Sequence, residues 1–303
     1  MRADPPAPGV LPSIEELVAL RTLASSPRHL RRVRTRAAGL ATSPMRGRGM
    51  EYAESREYAV GDDARHIDWR LTARTGRAHT KVFHAERERL TLIVADTSPA
   101  LYFGTRVRFK SVQAARAGAV AAWHAVGEGD RVAILRGSPR EPPVPPAGGP
   151  RGALRVIDAL VRWYAAPPSD DRGLVLALDR AQRLMRPGAR LLVLADPSSM
   201  DAVPATRWSA LARHHDVAVV LLHDPLETQP PALRLPFAAA GARVEMPLDD
   251  AATRQRWLAR FAAPLRQANE SLPARGVRVM ALSTTEPSEA CLAVLDGRTA
   301  RVA

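Results

Sequence analysis

One cysteine, two lysines and only 5% aromatic residues in 303 positions set the first limits on this chain. A lone thiol, Cys291, closes no internal disulfide and builds no multi-thiolate metal site, so disulfide scaffolds and zinc ribbons are excluded and a reducing compartment suits it. Long apolar runs are also missing. The best, Leu191–Ala195 and Val217–Leu222, fall far short of the roughly 20 residues that cross a bilayer. Met1–Leu11 carries prolines and Asp4 where a signal peptide needs an apolar centre, and a cytoplasmic protein with no membrane span is expected. No Walker loop, Gly-x-Gly-x-x-Gly turn, Gly-x-Ser-x-Gly elbow or His-Glu-x-x-His pair occurs, which removes the usual signatures of nucleotide and hydrolase chemistry. What is present is 46% hydrophobic and 25% charged, a globular composition that excludes disorder as the main state.

The formal charge of +13 points toward nucleic acid, but its distribution weakens that inference. Eight arginines (Arg21, Arg28, Arg31, Arg32, Arg34, Arg36, Arg46 and Arg48) fall in one stretch without an acid. Such an arm suits RNA, DNA, an anionic surface or an acidic protein. No stacking aromatic lies among Arg28, Arg31, Arg32, Arg34 and Arg36, so a protein partner ranks before nucleic acid.

Five apolar runs read as buried strands: Leu90–Ala95, Arg131–Leu135, Leu191–Ala195, Val217–Leu222 and Val277–Leu282. Between them apolar residues recur at steps of three and four, as in Val112, Ala115, Ala119, Trp123 and Val126, or Leu154, Ile157, Leu160 and Tyr164. Val175, Leu178, Ala181 and Met185 give a third helical face, Trp208 with Leu211 a fourth, and Trp257, Phe261, Leu265 and Ala268 a fifth, with the tryptophans read as core. This alternation implies right-handed crossovers and a doubly wound, mostly parallel α/β sheet with both faces covered. The proline-rich stretch Gly137–Pro150 is a surface excursion with a short edge strand near Val144. Three parts are expected: a basic N-terminal arm, 1–45, with one helix at Ser13–Leu23 opened by a capping-box pattern; a polar segment, 46–89, packed on the sheet edge; and the α/β body, 90–303.

In such a sheet the ligand crevice lies beyond the carboxyl ends of the strands where the winding reverses. Two strands run straight into aspartate there, one into Asp96-Thr97-Ser98-Pro99-Ala100 and one into Asp196-Pro197-Ser198-Ser199. If they are neighbours, Asp96, Ser98 and Asp196 converge on an oxygen-rich spot suited to a hard cation such as Mg²⁺ or Mn²⁺. The alternative is that each aspartate and serine only makes a turn or caps the next helix. Asp62, Asp63, Arg65, Asp68 and Trp69 also admit two readings, a catalytic cluster or a salt-bridged network that pins a loop. No nucleophile with a neighbouring base accompanies them, and the network reading leads. A metal-dependent hydrolase would need Asp62 or Asp63 to reach Asp96 and Asp196.

The segments Gly47-Arg48-Gly49-Met50-Glu51-Tyr52, Arg56-Glu57-Tyr58 and Gly61-Asp62-Asp63-Ala64-Arg65-His66-Ile67-Asp68-Trp69, with Ala73-Arg74, Lys81 and Glu86-Arg87, resemble the bacterial domain of unknown function 58 family over about residues 45–295. Members of that family look like von Willebrand factor type A domains, which implies a six-stranded doubly wound sheet with one antiparallel edge strand. The resemblance also implies a metal-ion-dependent adhesion site on Asp-x-Ser-x-Ser, in which Asp96, Ser98 and Asp196 fill three places. Ala100 stands where the third motif oxygen belongs, and Ser169-Asp170-Asp171-Arg172-Gly173 lacks the loop threonine, so waters or Asp171 would have to serve. It implies, finally, partnership with a MoxR-type AAA+ ATPase in assembling or activating a client protein complex. The expectation is a non-enzymatic binding module, with Arg56, Asp62, Asp63, Arg65, Asp68 and Trp69 as a partner surface.

Overall fold

The computed structural model describes residues 9–24, 50–59, 62–85, 89–239 and 242–297. The arginines at 28, 31, 32, 34 and 36 lie outside the described residues, as do Arg46, Arg48 and Gly61. In chain order the elements are α1 (Ile14–Ala19), α2 (Arg21–Ala24), β1 (Met50–Glu57), α3 (Trp69–Thr75), β2 (His79–Ala85), β3 (Leu90–Ala95), α4 (Lys110–Gly127), β4 (Arg131–Arg136), β5 (Val144–Ala147), α5 (Gly149–Trp163), α6 (Gly173–Leu184), β6 (Arg190–Ala195), α7 (Ala205–His214), β7 (Asp216–His223), α8 (Pro225–Thr228), β8 (Arg234–Ala239), β9 (Ala242–Pro247), α9 (Ala251–Ser271), β10 (Arg278–Ser283) and α10 (Leu292–Leu295). They divide into two compact units, one built from residues up to 24 together with those from 89 onward, the other from the stretch 50–85.

The larger unit is an α/β fold around one six-stranded sheet of order β10-β7-β6-β3-β4-β5. All neighbours are parallel except β5, which runs antiparallel to β4 at the edge. The chain starts in the middle at β3, winds outward to β5, then returns to β6 beside β3 and winds the other way. That reversal between β3 and β6 is the switch point at which such sheets open a crevice. Strand residues alternate between two cores, as their period of two requires. Ile93, Ile134, Leu192, Leu194 and Val220 pack under α4 and α5. Leu92, Val94, Leu135, Val193 and Leu221 pack under α6, α7 and α9.

Helix α4 is buried on nearly every side rather than along one stripe, because α1 and α2 lie over the face that would meet solvent. Leu17 is fully buried there, and the Trp123 indole N–H donates to the Leu17 carbonyl at 3.3 Å. At Gly118 an added Cβ would sit 3.0 Å from a Leu160 methyl and 3.2 Å from one of Leu194, so α4 approaches α5 and β6 as closely as a glycine allows. The expected single helix at Ser13–Leu23 is two short ones with a break at Leu20; Ser13 does cap the first, accepting from the Glu16 amide at 3.2 Å. Trp123, Trp163 and Trp208 are core. Trp257 is a correction: it is half-buried, tilted against Phe261 (4.6 Å) and Phe237 (5.5 Å), because β8 and β9 form a separate hairpin that meets the N-terminal half of α9 beyond the sheet.

Candidate functional site

Strands β3 and β6 pair with Ala95 opposite Leu194, so their next residues leave the sheet side by side. The Asp96 amide still donates to the Leu194 carbonyl (2.9 Å), and the Asp196 amide donates to Asp96 Oδ2 (3.0 Å). Each aspartate then closes the same turn. Ser98 N–H reaches Asp96 Oδ1 at 2.9 Å and its hydroxyl reaches Oδ2 at 3.3 Å. Ser198 N–H and hydroxyl reach Asp196 Oδ1 at 2.9 and 2.6 Å. Ser199 Oγ lies 3.3 Å from Ser98 Oγ and joins the two turns. Tyr164, fully buried, donates to the Asp96 carbonyl at 2.7 Å and fixes the backbone below. Burial pushes the Asp96 carboxyl above the usual carboxylate range and the charge of Asp196 adds to this, while the Ser199 hydroxyl and the Ser98 and Asp196 amides offset part of the rise.

Beneath this rim sits a group that the sequence reading passed over. Lys110, the first residue of α4, is 1% exposed, and its Nζ lies 2.5 Å from Asp196 Oδ2 and 2.5 Å from Glu227 Oε1. Glu227 belongs to α8, where its other oxygen accepts from the Asp224 amide (2.8 Å) and completes a capping box. Asp224 in turn accepts from the hydroxyls of Thr105 (2.6 Å) and Thr284 (2.7 Å). Burial lowers the ammonium's affinity for its proton, but the two carboxylates outweigh it and hold the Lys110 pKa above its ordinary value. Burial pushes Glu227 up despite Lys110. Asp224 ends below the usual range because its hydroxyl and amide donors overcome burial. A signal was available in the sequence: in a chain with only two lysines among 44 lysines and arginines, one of them opens the most apolar helix.

In the smaller unit β1 and β2 form an antiparallel pair, with Asp62, Asp63, Arg65, Asp68 and Trp69 on the connection between them. Arg56 binds Asp62 (2.6 Å), whose other oxygen accepts from the Ala59 amide (2.9 Å). Asp63 caps the turn Ala64–His66 through the Arg65 amide. Asp68 caps α3 through the amides of Arg70 and Leu71 and accepts from the Ser55 hydroxyl (3.1 Å). These carboxylates shape the loop, Asp62 through an ion pair and Asp63 and Asp68 as caps. Arg65 and Trp69 face outward, Trp69 at 69% exposure.

A model of the family described as protein of unknown function DUF58 matches residues 54–268. The chain belongs to the DUF58 family. Uncharacterized proteins of Mycobacterium bovis and of two strains of Mycobacterium tuberculosis are each 30% identical to it over 190 residues, 61% of this chain. The match spans 58% of the length of each of those relatives. For this DUF58 chain the expected six-stranded, doubly wound, mostly parallel sheet with one antiparallel edge strand is what the fold shows.

The donor set of the DUF58 crevice, as it stands, does not fit a resident divalent cation. Both Asp96 oxygens accept from amides, Asp196 gives one oxygen to Ser198 and the other to Lys110, and Ala100 offers none. Asp171 is engaged by the Thr97 hydroxyl (2.7 Å) and the Gly173 amide (2.8 Å). Among the described residues no group of three His, Cys, Asp or Glu side chains is placed to hold a metal. Also among the described residues, no helix is long and apolar enough to cross a membrane.

Proposed function

We propose that this DUF58 chain is a non-catalytic, cytoplasmic binding module. It docks a protein partner on the crevice at the switch point and works with a MoxR-type AAA+ ATPase on a client complex. The observation that carries the reading is the pairing of Asp96 and Asp196 under a rim of partly exposed hydroxyls, Ser98, Ser198 and Ser199. Each hydroxyl bonds to the carboxylate of its own turn or to the neighbouring serine, an arrangement that orients polar atoms for recognition. The outward Trp69, with Arg65 four residues before it, supplies a second contact of the kind that dominates protein interfaces. The ATPase and its client come from the family resemblance alone and are an analogy at the level of the fold.

The test is co-purification of the tagged chain with a co-encoded MoxR-type ATPase. Wild type is expected to retain it, and Ser199→Arg, which crowds the rim, to release it while the circular dichroism spectrum stays unchanged. Failure of the wild type to retain the ATPase, with and without nucleotide, removes the reading.

A further inference from the structure

Lys110 does more than neutralise one acid. Its backbone is fixed before its side chain is considered. The Lys110 amide donates to the Phe103 carbonyl at 2.8 Å, and the preceding Phe109 amide donates to the Gly9 carbonyl at 2.9 Å. The stem is enclosed, the Phe103 ring lies 5.8 Å from Nζ, and the ammonium ends between a carboxylate that follows β6 and one that follows β7. The second oxygen of each carboxylate is taken by a neutral donor, Ser198 for Asp196 and the Asp224 amide for Glu227. Nothing in this geometry is left for a divalent ion to organise. An ion entering here would need Asp196 Oδ2 or Glu227 Oε1, and it would meet a fixed positive charge within ion-pair distance.

We propose that Lys110 is the built-in cation of this crevice: its ammonium stands where a divalent metal would bridge the strand-end acids, ties the loop after β6 to the loop after β7, and makes the docking face independent of metal. The consequence for docking rests on the proposed function; the role of the ammonium does not, and it is tested on the chain alone. Wild type provides Asp196 and Glu227 as a closed ion-pair set. Truncation at Lys110 leaves Asp196 and Glu227 as two buried carboxyls facing the space the ammonium held, a pair of hard oxygens for Mn²⁺ or Mg²⁺ to bridge with waters retained.

The experiment titrates Mn²⁺ into wild type, Lys110→Ala and the neutralised triple variant Lys110→Met/Asp196→Asn/Glu227→Gln, reading bound ion by electron paramagnetic resonance and the thermal midpoint in parallel. Wild type and the triple variant are expected to leave the free Mn²⁺ signal and their midpoints unchanged. Lys110→Ala is expected to lose midpoint, to take up Mn²⁺ saturably and to recover most of the loss as it does so. If Lys110→Ala does not fold unaided, its refolding yield with and without Mn²⁺ reads the same property. Saturable Mn²⁺ binding by wild type that Asp196→Asn abolishes overturns the proposal. So does a Lys110→Ala protein whose stability and refolding are both indifferent to Mn²⁺. A chain that behaves as proposed here yet retains no partner would sink the docking reading and leave the internal cation standing.

Discussion

Replacing Lys110 by methionine isolates the charge of the buried ammonium, because methionine keeps most of the stem's volume and leaves only a small cavity. The loss then comes from Asp196 and Glu227, each with a side chain 6% exposed and stripped of its counter-charge. Removing one partner of a buried ion pair costs about 3–5 kcal/mol, chiefly as the penalty of an uncompensated buried charge. For a domain of this size roughly 2–4 °C of midpoint accompanies each kcal/mol, so Lys110→Met should melt roughly 6–20 °C below wild type. The deficit should be larger at neutral than at mildly acidic pH. Burial already pushes Glu227 above the usual range, and without the ammonium it is relieved by taking a proton. Adding Glu227→Gln to Lys110→Met should restore part of the loss, a coupling of about 1–3 kcal/mol. Urea titrations of the four proteins of this cycle, at two pH values, measure it. A Lys110→Met loss below about 1 kcal/mol, or a double variant no more stable than the single one, would refute the argument that the ammonium is the counter-charge of this crevice.

Three further outcomes follow from particular contacts. Burial holds His223 below the ordinary imidazole value of 6.5, so the unfolded chain binds more protons and stability should fall as pH drops below that value; His223→Gln should flatten this part of the urea-midpoint profile, and an unchanged slope counts against it. Leu17→Ala should cost about 2–5 kcal/mol and shift Trp123 fluorescence, since Leu17 is fully buried against α4; a loss near zero would mean that α1 is not part of the core. Trp69→Ala should leave the unfolding free energy within about 0.5 kcal/mol while weakening retention of the ATPase, and a large stability loss would assign Trp69 to packing instead.

Much of this fold is legible from residue spacing because both faces of the central strands are buried. Leu90–Ala95, Leu191–Ala195 and Val217–Leu222 stand out as apolar runs for that reason, and the adjacency of Asp96 and Asp196 follows once the winding is known. The hairpin β8–β9 is not legible: its residues include Pro236, Ala238, Ala239 and Ala242 and lack the alternation of a half-buried strand. The all-round burial of α4 is hidden too, because Leu17, which covers Trp123, lies 106 residues earlier in the chain. Lys110 is the clearest omission. Its partners are 86 and 117 residues away, and a lysine at a helix start reads as solvated until the two loops that enclose it are folded.

The two ends of the sheet treat buried charge differently. At the amino ends of the strands Arg190 binds Glu128 (2.8 Å) and Asp216 (3.5 Å), Arg89 binds Glu128 (3.2 Å) and Asp130 (3.1 Å), and Arg278 binds Asp216, so guanidiniums and carboxylates match three to three. At the carboxyl ends Arg136 binds Glu141 (3.0 Å) and Asp170 (2.9 Å) and Lys110 meets Asp196 and Glu227, while Asp96, Asp171 and Asp224 are held by amides and hydroxyls. Neutral donors orient a carboxylate without supplying a counter-charge, so among these groups carboxylates outnumber cations at this end. A partner that reads it should present cationic or hydrogen-bond-donating side chains, and the complex should weaken as salt screens them. Retention of the ATPase measured against salt for wild type and Asp96→Asn decides the point. A steep wild-type dependence that the variant flattens supports recognition at this end of the sheet; identical slopes would place the charged contact elsewhere.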